Sequence, residues 1–78
     1  MAKKGELDWA DRVKRYLKAE LKRADVTYEE LAVRLGKLGL EESEASVANK
    51  LSRGTFPATF LCAAAKAIGI DEIRLKDL

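Results

Sequence analysis

Val26-Thr-Tyr-Glu-Glu-Leu-Ala-Val-Arg-Leu-Gly36, followed by Ser52-Arg53-Gly54, is the part of this chain whose reading decides the fold. Thr27, three residues ahead of Glu30, has the spacing of a reciprocal capping box, in which each side chain accepts a hydrogen bond from the other's backbone N–H. Tyr28, Leu31, Ala32 and Leu35 then recur at three- and four-residue steps, which places them on one face of a helix. Gly36 and Gly39 are both placed to supply the left-handed residue that stops it. A second short helix is expected from about Ser43 to just before Gly54. Ser43 is a good N-cap, and Glu41, Glu42 and Glu44 suit the positive end of the helix dipole. Val47, Ala48 and Leu51 face the core in this reading; Ser46, Asn49, Lys50 and Arg53 face outward.

The flanks are helical too. Leu7, Ala10, Val13, Leu17, Leu21 and Ala24 share one face of a helix expected from about Leu7 to Ala24, with Trp9 and Tyr16 widening its stripe. Arg12, Lys14, Arg15, Lys18, Lys22 and Arg23 take the remaining surface. After Gly54, Pro57 suits the first turn of a helix bearing Phe60, Leu61, Ala64, Ala67 and Ile68, which Gly69 stops. A short fifth helix is expected over 72–77, with Asp71 as N-cap and Ile70 and Leu75 as its hydrophobic staple. No segment carries a strand pattern. The expected architecture is all-α, with residues 1–6 a flexible N-terminus and residues 7–78 a single helical domain of four or five helices.

Composition narrows the function classes. Seventy-eight residues, 47% of them hydrophobic, suffice for one core and argue against disorder. The net charge of +2 identifies no partner, but its distribution is striped. Residues 1–24 carry eight Lys/Arg against four Asp/Glu, residues 25–44 carry two against six, and residues 45–69 carry three bases and no acid. Cys62 is the only cysteine, so no intrachain disulfide can form and a cytoplasmic protein is expected. It is read as a small core residue, and Trp9 as a staple of the first helix onto the core. No signal-peptide pattern or membrane-length apolar run is visible, so no membrane partner is expected. Without histidine, a cysteine cluster, a phosphate-cradling glycine loop or a nucleophile elbow, neither catalysis, a metal nor a cofactor is expected.

Thr27-Tyr-Glu-Glu-Leu-Ala-Val-Arg-Leu-Gly36, Leu51-Ser-Arg-Gly54 and Ala63-Ala-Ala-Lys-Ala-Ile-Gly69 together resemble the lambda-repressor-like helix-turn-helix group of bacterial regulators. More specifically, the chain from Trp9 to Gly69 looks like a bacterial family catalogued as domain of unknown function 6471, through Ala19-Glu-Leu-Lys-Arg23 and Asn49-Lys-Leu-Ser-Arg-Gly54. The first resemblance implies a compact domain that lays the helix over about 43–53 in the major groove of double-stranded DNA; the second brings no established activity. The chain departs from the group at Lys37-Leu-Gly-Leu-Glu-Glu-Ser43, where an extended connection replaces the tight turn between the two motif helices.

On this resemblance the expected DNA contacts are Ser46, Asn49, Lys50 and Arg53, with Arg34 or basic residues of the first helix neutralising phosphates. Asparagine pairs bidentately with adenine, and lysine or arginine reads guanine or holds phosphate. The bland counterpart is a solvated helix face whose cations offset the dipole at its C-terminal end. Three carboxylates near the start of that helix oppose the phosphate surface. They support a rival reading, a protein-interaction module with a basic partner at the acidic 41–44 segment. A domain of this size implies a homodimer if it is to select a DNA site, and transcriptional regulation is the expected role.

Overall fold

The computed structural model describes the backbone of residues 4–78 and the side chains from Trp9 onward. Four α-helices follow one another: α1 (Lys4–Ala24), α2 (Tyr28–Lys37), α3 (Glu44–Arg53) and α4 (Ala58–Ala67), with a 3₁₀ turn at Leu75–Asp77. No strand occurs among the described residues. α1 begins about a turn earlier than its periodicity suggested, so the flexible start expected over residues 1–6 is not delimited here. Residues 1–3 lie outside the described residues, and residues 4–6 are helical.

The core is the meeting of the expected stripes. Leu17 and Leu21 of α1, Leu31 and Leu35 of α2, Val47 and Leu51 of α3, and Phe60 and Ala64 of α4 are buried together with Val26. Removing one such leucine or phenylalanine side chain from water contributes about 1.5–3 kcal/mol, which is why the apolar period, rather than helix propensity, selects these faces. α2 packs on both α3 and α4, and α1 packs on α3.

Helix ends supply much of the local specification. α1 ends with Asp25 at φ 59°, Val26 N–H on the Leu21 carbonyl and Asp25 N–H on the Lys22 carbonyl, the paired bonds of a Schellman motif. The same pair of bonds closes α2 at Gly39 and Leu40, and α4 at Gly69 and Ile70. Each places an apolar residue (Val26, Leu40 or Ile70) just beyond the helix. Gly39, not Gly36, therefore stops α2.

Several expectations need correction. The Thr27 box is half formed: Thr27 Oγ1 accepts from Glu30 N–H at 3.1 Å, but the Glu30 carboxylate turns to Arg34 at 3.0 Å. The reciprocal box is at Ser43 and Ser46 instead. Ala24 is exposed, because the chain turns away at Asp25. Trp9 is 54% exposed, with the Arg12 guanidinium 4.9 Å from its ring centroid. It lies about 100° round the helix from the Leu17–Leu21 stripe, so it staples nothing. Cys62 is exposed on the side of α4 facing away from Phe60 and Ala64. The fifth helix reduces to the 3₁₀ turn: Ile70 is used in closing α4, and Leu75 is 74% exposed, so no staple forms.

Candidate functional site

α3 is the element on which most of the expected contact residues lie, and it is held at both ends. At its start Ser43 Oγ accepts from Ser46 N–H at 3.0 Å, while Ser46 Oγ accepts from Ser43 N–H at 2.9 Å. At its finish Gly54 takes the left-handed conformation, φ 76°, with its N–H on the Lys50 carbonyl at 2.9 Å. A Cβ at Gly54 would collide with the Ala10 carbonyl oxygen and lie 3.0 Å from that carbonyl carbon. Lys14 Nζ donates to the Ser52 carbonyl at 3.2 Å, covering one of the carbonyls that the end of a helix leaves unpaired. The C-terminal end of α3 is thereby seated on α1.

The five residues expected to touch DNA divide into three groups. Asn49 and Arg53 are exposed one turn apart on α3, beside exposed Ala45 and Ser52, and their side chains have no partner among the described residues. Ser46 and Lys50 are drawn together by Glu42, a residue read above as a dipole companion and as part of the acidic 41–44 segment. Glu42 Oε1 accepts from Ser46 Oγ at 2.5 Å and from Lys50 Nζ at 3.2 Å. Its side chain is 9% exposed and that of Lys50 23%, and the Lys50 ammonium also lies 5.6 Å from the centroid of Phe60. Arg34 belongs to neither group: it pairs with Glu30 and donates from Nη1 to the Ala67 carbonyl at 3.1 Å, clamping α2 to the end of α4.

Ser46 and Lys50 stand one turn apart on α3, and Glu42 reaches them from just ahead of the Ser43 cap, so helical periodicity gave no signal for the cluster. Its consequence is electrostatic. Of the three glutamates at the start of α3, Glu42 is neutralised internally, and only Glu41 and Glu44 face solvent.

The bases of α1 are partitioned by its neighbours. Arg15 pairs with Asp11 at 3.0 Å and Arg23 with Glu20 at 2.7 Å. Lys18 and Lys22 have no partner among the described residues and follow Lys14 at one-turn steps, on the flank where Lys14 meets α3. The opposite flank borders an open groove of 750 Å³ against the C-terminal segment, where Arg15, Arg23 and Arg74 alternate with Glu20, Glu72 and Asp77. Tyr16 lies there. Burial, followed by the Glu20 and Asp77 carboxylates, raises its phenol above the usual 10.0 against the opposing pull of Arg23. With Arg12 also in the lining, the groove carries both signs, and charge alone assigns it no ligand. No group of three or more His, Cys, Asp or Glu side chains able to hold a metal occurs among the described residues. Nor is any helix among them long and apolar enough to cross a membrane.

These features define a small all-helical domain whose third helix is capped at both ends and seated on a basic first helix. Residues 9–73 match the profile of a domain of unknown function (DUF6471), and the chain belongs to that family. No curated protein and no solved structure matches it.

Proposed function

We propose that this domain binds double-stranded DNA, as a lambda-repressor-like helix-turn-helix regulator of transcription, with α3 in the major groove. The observation that carries the reading is the outward edge of α3. Asn49 and Arg53 are exposed and uncommitted on a helix fixed at both ends, and the Lys14–Lys18–Lys22 row continues from that helix's C-terminal end. Positioned side chains of these types are what base reading and phosphate anchoring require. In this reading Asn49 faces a base edge, Arg53 and the lysine row hold phosphates, and Arg34 acts only as a clamp. A module of this size covers about 600–1,000 Å² of DNA, so a homodimer on paired half-sites supplies the remaining affinity.

Fluorescence anisotropy with duplex DNA at two salt concentrations tests the reading. Affinity in the range of about 10⁻⁴–10⁻⁶ M on mixed sequence, falling steeply with salt, is the expected result. Arg53→Ala is expected to flatten the salt slope by about one unit, and Asn49→Ala to relax base preference. Binding indifferent to both substitutions removes α3 from the mechanism.

A second reading, a protein-interaction module, is favoured by one observation. After the turn at Leu38 and Gly39 that closes α2, residues 40–43 carry no regular structure before α3, and they present Glu41 ahead of Glu44 at its entrance. Under that reading a basic protein partner is lost on Glu41→Lys, while DNA affinity is absent throughout.

A further inference from the structure

We propose that Ser46 and Lys50 form a phosphate subsite at the edge of α3, and that Glu42 is its internal competitor. The proposal rests on the DNA reading above. The geometry is specific: one carboxylate oxygen takes the hydroxyl of Ser46 at 2.5 Å and the ammonium of Lys50 at 3.2 Å. A hydroxyl and an ammonium converging on a single anionic oxygen are the donors that a phosphodiester oxygen accepts from. Glu42 is thus a carboxylate standing where a backbone phosphate would bind.

The surroundings suit exchange between the two anions. Ser43 fixes the backbone beside Glu42 through its cap, so the carboxylate leaves by side-chain rotation rather than by movement of the connection. The Lys50 ammonium also lies 5.6 Å from the Phe60 ring centroid, a contact that favours the same position whichever anion it meets. The cluster opens on a shallow hollow of 640 Å³ that Gly36, Glu41 and Ser43 also line, so a phosphate reaches the ammonium from solvent. Displacing Glu42 costs the protein its internal pair, and that cost is subtracted from DNA affinity. Lys50 therefore contributes less to binding while the carboxylate competes for it than once Glu42 is removed.

The test is duplex binding by anisotropy at about 50 and 200 mM salt for the wild type, Glu42→Gln, Glu41→Gln, Lys50→Met and the Glu42→Gln/Lys50→Met double variant. Glutamine keeps a neutral acceptor for Ser46 and Lys50, and Glu41→Gln removes the same charge one residue away without touching the cluster. Freeing one more ammonium steepens the salt slope by about 0.9. Glu42→Gln is then expected to lose about three to four times more affinity than the wild type between those salts. It also binds more tightly than Glu41→Gln at the lower salt. Lys50→Met costs the wild type less affinity than it costs Glu42→Gln, and it abolishes the gain in Glu42→Gln.

Equal behaviour of Glu42→Gln and Glu41→Gln, or a Lys50→Met loss as large in the wild type as in Glu42→Gln, overturns the subsite while the DNA reading stands. DNA binding that appears only in Glu42→Gln supports it directly. Absence of binding in every variant overturns both. Far-UV circular dichroism checks each fold, and Glu42→Ser replaces Glu42→Gln if the latter does not fold.

Discussion

Gly54 and Gly36 lie eighteen positions apart, yet a methyl group has opposite consequences at the two sites. At Gly54 it meets both a left-handed backbone and the Ala10 carbonyl of α1, so Gly54→Ala is expected to cost at least about 2 kcal/mol. At Gly36, inside α2 and with open space where a Cβ would stand, Gly36→Ala is expected to stabilise by about 0.5–1 kcal/mol. Urea midpoints of the two variants check the pair, and shifts of the same sign contradict the packing at these two glycines. Tyr16 gives a second residue-scale expectation. Its raised phenol pKa means that the folded chain binds the proton more tightly than the unfolded one. The corresponding stability is full below 10.0 and is lost as pH rises from there through the folded value. Unfolding followed at about pH 9 and pH 11 should show a shallower alkaline loss in Tyr16→Phe than in the wild type.

At the scale of elements, α3 depends on the Ser43–Ser46 box, because the first N–H groups of a helix have no acceptor within it. Ser43→Ala is expected to cost about 1 kcal/mol. For a domain of this size that lowers the melting temperature by about 4–8 °C. An unchanged melting temperature would show that the Glu42–Ser46–Lys50 cluster holds the start of α3 without the cap. α1 plays a different part: it supports the end of α3 through Lys14 and Gly54, and it arrays its unpaired lysines beside it. Removing Lys18 and Lys22 together should leave the melting curve unchanged and reduce the salt slope of DNA binding by about two units. A slope that stays the same would confine the interface to α3.

For the whole molecule, the dividing line between what was legible beforehand and what was not follows the range of the forces involved. Local interactions are written in short spans of sequence. The three- and four-residue periods of α1 to α4 marked most of the buried faces, Ser43 marked a cap, and Gly54 and Gly69 marked ends, because each depends on neighbours within about two turns. The Schellman end at Asp25 carried a weaker signal, since aspartate enters the left-handed region only occasionally. The outward setting of Asn49 and Arg53 was legible for the same local reason. Trp9, Tyr16 and Cys62 were not settled this way. Trp9 and Tyr16 occupy a similar flank of α1, yet Tyr16 is half-buried against the C-terminal segment while Trp9 remains exposed. Only the path of a distant segment distinguishes them. The commitment of Lys50 to Glu42, of Arg34 to the end of α4 and of Lys14 to the end of α3 likewise became definite only in three dimensions. Sequence by itself determined where helices form and which faces are apolar, through steric, capping and burial preferences that act locally. Tertiary structure alone decided which charges are already neutralised, because a side chain's counter-ion is set by what the fold brings within hydrogen-bond reach.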